Sequence, residues 1–239
     1  MAHPPVYPHG PIEQIGENMF AARGSIRLNA MMRISRNMAI VRSGNELTLV
    51  NPIRLSETGL KSLDALGAVK HLVRLGGFHG ADDPFYMERY RPTFWAQAGE
   101  AGYKVPAIDK PLTDGGELPF SPARLFCFKG SKAPEGAIVV ERGPGVLLTC
   151  DAIQHYDNYS RNNIIARLIM PFIGFPRRTI VGPFWLKLAT PEGSSLQSEF
   201  ERLLTFKFDA LLAAHGTFLR QGARVGVRRA VDEAFAKKH

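Results

Sequence analysis

The spacing of apolar and polar residues changes several times along the chain, and each change marks an element. Residues 38–42 and 46–51 are apolar runs on either side of Ser43-Gly44-Asn45, a hairpin signal, and Asn51-Pro52 closes the second run. Ser56 then suits the cap of a helix over residues 57–66, where Leu60, Leu63 and Leu66 recur at helical spacing before Gly67. Residues 69–75 return to a β-rich pattern. A strand, a helix and a strand in this order point to a crossover in a mostly parallel region. A short helix over residues 85–91 is stopped by Pro92, and a short strand over 93–97 follows.

The second half repeats the plan. Residues 99–122 are rich in Gly, Pro and Asp and read as loop. Three β-type runs at 124–128, 137–141 and 146–149 are each bounded by Gly or Pro, as in a meander. A helix over 196–206, a short apolar strand over 210–214 and a closing helix over 222–237 complete the chain. Strands in the middle of each half and helices outside predict two sheets face to face with helices on their outer faces. Residues 1–36 read as an N-terminal arm and first strand, with the prolines of the first eleven residues suggesting a loose arm. Residues 37–239 read as the main domain.

Residues 160–195 stand out within it. The stretch 164–188 is the most apolar of the chain, yet it carries Arg167, Arg177 and Arg178 as well as Pro171, Pro176 and Pro183. A spanning helix needs about 20 nearly uninterrupted apolar residues. The pattern therefore predicts no transmembrane segment but a lid or insertion that packs on the domain or makes peripheral contact with a membrane or partner.

Composition bounds the function only loosely. The chain has 239 residues, 45% of them hydrophobic, and a net charge of +8 from 30 Lys and Arg against 22 Asp and Glu. That length supports one sizeable core. The charge permits anionic partners without naming one. Cys127 and Cys150 lie in apolar runs and read as buried free thiols, a pairing being open only if their strands are neighbours. With no secretory pattern at the N-terminus, these thiols agree with a cytoplasmic protein. No nucleophile elbow and no phosphate-cradling loop occurs.

His79, Asp83, Asp151 and His215 each lie just beyond an expected strand, where a rigid scaffold presents functional groups. Imidazole and carboxylate suit zinc, iron or manganese. Each also has a plainer reading: Asp83 suits a helix cap, Asp151 a turn and His215 a strand end. His71 reads as a packed or surface histidine. His155 and Asp157 belong to a polar, aromatic loop that reads as cleft lining.

Ordered motifs at both ends carry a resemblance. The stretches NMAIVRSGNELTLVNPIRL (37–55) and GAVKHLVRLGGFHGADDPFY (67–86) are followed by LLTCDAIQHYDN (147–158) and FKFDALLAAHGTFLRQGA (206–223). In these the chain resembles the metallo-β-lactamase superfamily, and more narrowly a small branch of it known as a domain of unknown function. The resemblance implies an α+β fold, the four-layer αββα sandwich. Against the motif His-x-His-x-Asp-His, His79 and Asp83 match, while Ala81 and Pro84 stand at the other two ligand positions. Residues 128–132 hold no His where the family has its next ligand. Asp151 matches the bridging Asp and His215 the final His.

The resemblance thus implies a partly degenerate site. Asp83, Asp151 and His215 would share one metal position, with His79 from the other and Asp82 as a substitute ligand. Zinc, as one ion, is the implied cofactor, with iron or manganese as alternatives. The implied activity is metal-dependent hydrolysis of a small-molecule ester, lactone, amide or phosphodiester, with Asp83 as the catalytic residue orienting water. Two alternatives remain: an inactive member that binds a small molecule or protein in the old cleft, and a nucleic-acid binder using its scattered arginines.

Overall fold

Strict two-residue alternation explains the layering. The computed structural model describes residues 3–99 and 103–236. Its larger sheet has seven strands in sequence order: β1 (His9–Gly16), β2 (Met19–Arg27), β3 (Arg33–Ser43), β4 (Glu46–Val50), β5 (Ala68–Arg74), β6 (Thr93–Ala96) and β7 (Lys110–Pro111). The second sheet contains β8 (Ala123–Cys127), β9 (Gly136–Val140), β10 (Val146–Thr149) and β13 (Ala210–Ala213), in the order β13-β10-β9-β8. Along β3, Ala39 and Val41 face one way and Met38 and Ile40 the other; along β9, Ile138 and Val140 oppose Ala137 and Val139. Successive side chains of a strand point to opposite faces. Because both faces of these strands are apolar, each sheet must be covered twice.

The first cover is the other sheet. Val41, Val73, Trp95, Leu125, Ile138, Leu148 and Leu212 belong to one buried cluster between the sheets. The second cover is helical. Helix α1 (Glu57–Asp64), capped by the Ser56 hydroxyl accepting from the Gly59 N–H at 3.3 Å, and helix α2 (Asp83–Tyr90) supply Leu60, Leu63, Phe85 and Tyr86 to the outer face of the large sheet. Helices α4 (Pro183–Ala189), α5 (Gln197–Leu203) and α6 (Ala223–Phe235) supply Trp185, Phe200, Leu203, Val227 and Val231 to the other. The result is the αββα sandwich expected from the sequence.

Two regions differ in detail from the sequence reading. Residues 9–27 form two strands where one was expected: β1 pairs antiparallel with β2, and β2 with β3, extending the sheet. The insertion is built from an antiparallel ribbon of β11 (Ile153–His155) and β12 (Thr179–Val181), helix α3 (Ile164–Ile169), a 3-10 turn over Met170–Ile173, and α4. Among the described residues, no helix is long and apolar enough to cross a membrane. Cys127 and Cys150 are both buried and free.

Where the two sheets part, buried asparagines tie strand ends together. Asn51 accepts from the Leu75 N–H at 3.1 Å, just past β5, and donates to the Thr149 carbonyl at 3.0 Å, the last residue of β10. Asn37, on β3, donates through Nδ2 to the Ala213 carbonyl at the end of β13 at 2.9 Å and to the Gly216 carbonyl at 3.2 Å. Buried backbone groups need such partners, and each one left unpaired costs about 1–3 kcal/mol. Asn51→Ala removes both partners at once, so a loss of about 2–5 kcal/mol is expected, read as a lower urea midpoint with an unchanged slope.

Candidate metal centre

Three strands deliver the site. His79 lies in the loop after β5, Asp151 two residues beyond the end of β10 and His215 two residues beyond the end of β13. β10 and β13 run parallel and in register, so Asp151 and His215 leave the sheet side by side. Gly76, at the root of the His79 loop, packs against Cys150 and Glu135 where a Cβ would collide with both. Gly216 has φ of 87° and no room for a Cβ against the His155 carbonyl, which explains a glycine directly after His215.

The three side chains meet. Asp151 offers one oxygen to each ring, Oδ2 at 3.2 Å from His79 Nε2 and Oδ1 at 3.3 Å from His215 Nε2. The two Nε2 atoms are 3.1 Å apart. Ligand bonds of about 2.0–2.2 Å at tetrahedral angles put donor atoms roughly 3.3–3.5 Å apart, so the set has the spacing of one face of a coordination sphere. The His215 Nδ1–H donates to the Ser35 carbonyl at 2.7 Å, because a carbonyl can only accept. With Nδ1 donating to that carbonyl, Nε2 is the nitrogen turned inward toward Asp151. The residues present therefore fit a metal ion.

Electrostatics keep the donors in binding form. Burial, and after it the Arg36 charge, lowers the His79 pKa to about 3, so its ring is neutral at ordinary pH. Burial works to raise the Asp151 pKa, but the neighbouring imidazoles outweigh it and hold the carboxyl well below its usual range. The backbone around Asp151 is held by Glu135, whose Oε1 accepts from the Asp151 N–H at 2.7 Å and the Ala152 N–H at 2.8 Å. Burial and the nearby Asp151 charge push the Glu135 pKa well up. Glu135, Cys150 and Asp151 also lie close enough to form a second donor group.

The remaining sequence candidates lie elsewhere. Asp83 is outside the His79–Asp151–His215 group and is bound by Arg74, whose Nε donates to its Oδ2 at 2.6 Å in a nearly dry environment. That guanidinium also donates to the Tyr103 and Val105 carbonyls, so the pair closes a loop over β5. Nor does Asp83 cap α2, since Asp82 holds the cap position and makes no side-chain cap bond. Asp82 is buried, which raises its pKa, with Arg36 and Arg54 as its charged neighbours. His155 is held by Thr179 at 2.9 Å and Asp157 at 2.8 Å and does not line the cavity above the site, which Gln154 and Tyr156 do. His71 accepts from the Trp95 indole at 3.2 Å.

Arg36, Cys150 and Glu135 were not singled out in the sequence. Arg36 is buried on β3, and its Nη1 contacts both ring nitrogens of His79. Cys150 Sγ lies 3.0 Å from His79 Nδ1. Arg36 lies among the polar residues Arg33, Ser35 and Asn37 at the start of β3, and Glu135 just before an apolar run, so neither carries a distinct sequence signal. Above the site is a cavity of about 320 Å³ walled largely by apolar side chains, among them Ile34, Phe78, Phe175, Phe184 and Trp185, with Arg27, Arg36, His79, Asp151, Gln154 and His215 among its polar groups.

No protein-family model matches the chain, and no curated protein sequence does. The narrower resemblance to one branch of the superfamily thus has no matching model behind it. Solved structures do match. A metallo-β-lactamase from Erythrobacter litoralis superposes with a TM-score of 0.64 at 15% identity, covering 93% of this chain and 91% of that one. A metallo-β-lactamase from Pseudomonas aeruginosa in a mono-zinc form gives 0.62 at 10% identity, covering 98% and 99%. A flavo di-iron protein mutant from Thermotoga maritima gives 0.63 at 14% identity, covering 96% of this chain and 63% of that one. The chain has the metallo-β-lactamase fold.

Two tests separate the site from its surroundings. Asp83→Asn leaves the Arg74 guanidinium buried without its counter-charge, so a loss of about 3–5 kcal/mol in chemical denaturation is expected, with metal uptake per folded molecule unchanged. His79 provides a pH signature in metal-free protein. Its folded pKa near 3 lies below the unfolded value of 6.5, so between them the unfolded chain binds the extra proton. That stability is full above pH 6.5 and is lost as pH falls toward 3; in His79→Gln the slope of the urea midpoint against pH should be shallower over this window.

Proposed function

We propose that the protein is a metal-dependent hydrolase with a single ion held by His79, Asp151 and His215. The observation that carries this reading is the convergence of two imidazoles and an ionised carboxylate at donor–donor spacings of 3.1–3.3 Å on the floor of a cavity. A divalent ion bound there supplies Lewis-acid polarisation of a carbonyl or phosphoryl oxygen and activates water near neutral pH. Zinc suits the two nitrogens, and one hard carboxylate keeps iron and manganese in range.

The protein's own groups do the rest. The Ser35 carbonyl orients the His215 ring, and Glu135 holds the backbone on which Asp151 is mounted. Arg36 places a permanent positive charge on the cavity wall, suited to an anionic group of the substrate or to charge that develops on an oxygen as a bond breaks. The apolar walls exclude water and favour a substrate that carries an apolar group next to its ester, lactone, amide or phosphodiester bond.

One observation favours a second reading, a cleft that binds a small molecule or protein without turnover. The Arg36 guanidinium touches His79, and a fixed cation can satisfy the same donors that would otherwise hold a metal. Arg36 only donates, so its contact with the ring competes with a metal ion for the lone pair of His79.

Elemental analysis of the purified protein tests the choice. The expected result is about one metal ion per chain, with Asp151→Asn and His215→Ala each lowering occupancy at least ten-fold while the fold persists. Turnover of p-nitrophenyl esters or bis-p-nitrophenyl phosphate should fall with occupancy and return on adding zinc or manganese. A protein that takes up neither zinc, manganese nor iron, and whose melting temperature none of them shifts, overturns the hydrolase reading in favour of the second.

A further inference from the structure

The insertion turns apolar side chains outward. Ile164, Leu168 and Phe172 follow one another at intervals of four residues through α3 and the turn after it, and they are 73%, 67% and 88% exposed. Helix α4 repeats the arrangement with Phe184 and Leu188, both more than half exposed. Residues four apart share a helix face. Exposed apolar residues scattered singly are ordinary, but two short helices that each present an apolar stripe to water are not. Leu28, at the tip of the β2–β3 hairpin, is 56% exposed and lines the same cavity as Phe184 and Leu188. The outward face is thus continuous with the wall that leads to His79, Asp151 and His215.

Charge says what covers this face. Residues 158–191 contain Arg161, Arg167, Arg177, Arg178 and Lys187 and no Asp or Glu. Arg178 is paired with Glu233 at 3.0 Å. Among the described residues, Arg161, Arg167, Arg177 and Lys187 have no carboxylate within ion-pair distance. Arg177 and Lys187 are exposed and sit next to the apolar stripes in sequence. A surface with apolar groups at its centre, cations without a carboxylate partner beside them and no acidic residue between positions 158 and 191 is complementary to an interface with an anionic rim and an apolar interior. A second copy of the chain offers the same cations and would repel.

We propose that the insertion seats on the surface of an anionic phospholipid bilayer, with Leu168, Phe172 and Phe184 dipping below the headgroups and Arg167, Arg177 and Lys187 at the level of the phosphates. An amphiphilic molecule leaving the bilayer then enters the cavity past the apolar side chains of Leu28, Phe184 and Leu188. The attachment stands on the surface itself and does not depend on the metal or on turnover.

Co-sedimentation of the full chain with vesicles of phosphatidylcholine, with and without phosphatidylglycerol, tests it. Binding to the anionic vesicles is expected, and it should weaken as salt is raised. Arg177→Gln and Lys187→Gln should each weaken it about five-fold, since a basic residue near an anionic surface contributes on the order of 1 kcal/mol. Leu168→Asp with Phe172→Asp should abolish it, with melting temperature and metal content unchanged because both side chains are exposed. Failure to bind anionic vesicles overturns the proposal. Equal binding to neutral vesicles overturns the role of the cations. Self-association in solution that the double aspartate variant removes identifies the face as a protein contact and overturns it too.

Discussion

The structure depends on how the two sheets come apart at one end without leaving their backbone groups dry and unpaired. Strands buried on both faces pay no penalty along their length, because each ladder satisfies its own N–H and C=O groups. At their ends the ladders stop while the surroundings are still buried. Asn51 bridges the ends of β5 and β10, Asn37 bridges β3 to the end of β13, and Glu135 receives the two N–H groups after Cys150. These are the same strand ends that present His79, Asp151 and His215. The polar bonds that make the edge of the core tolerable therefore also fix the separation of the candidate ligands. A looser seam would let the rings drift by more than the few tenths of an ångström that a coordination sphere permits.

This also explains what was legible in the sequence. The meander of β8, β9 and β10 and the turn and second strand of the β3–β4 hairpin emerge within a residue or two of their expected positions, because the apolar runs there end at Gly or Pro, whereas β3 begins five residues before the expected 38. The capped helix α1 emerges for a similar local reason. The first two strands were harder to read. β1 has no fully buried residue, and its alternation is hidden by polar side chains at a sheet edge. Its pairing is set by β2, far more than by its own pattern. The insertion was legible as an insertion, but its ribbon of β11 and β12 joins segments 24 residues apart at His155 and Thr179, which no local period reveals.

The candidate site divides along the same line. His79, Asp151 and His215 could be singled out because each follows a strand that the pattern defines. Asp83 satisfied the same criterion and matched a family motif, yet it lies on the first turn of α2 with Arg74 against it. Ala81 and Pro84, which flank it, offer no side-chain donor for a metal. Arginine 74 comes nine residues earlier, inside a strand, and its partner is visible only once β5 and α2 are packed. Arg36 and Glu135 were invisible for a stronger reason. Their roles lie in contacts with residues 43 and 16 positions away, and neither charge has a local pattern to announce its partner.

The balance of charge around His79 then decides what kind of site this is. Asp151 supplies the negative charge of the group, and His79 is held neutral by burial and by Arg36. A site with one carboxylate and an adjacent guanidinium attracts a divalent ion less than the same donors without Arg36 would. What it gains is a fixed positive charge in a cavity walled largely by apolar side chains, where an electrostatic interaction is strengthened by the absence of water. Under the proposed function, such a centre would favour a substrate whose anionic group sits against Arg36 and whose apolar part fills the walls. The outward face of the insertion has the same pairing of cation and hydrocarbon on a larger scale, with Arg177 and Lys187 beside Phe172 and Phe184. If both proposals hold, the cavity and the surface that opens onto it would be matched to one chemistry, an amphiphile with an anionic head.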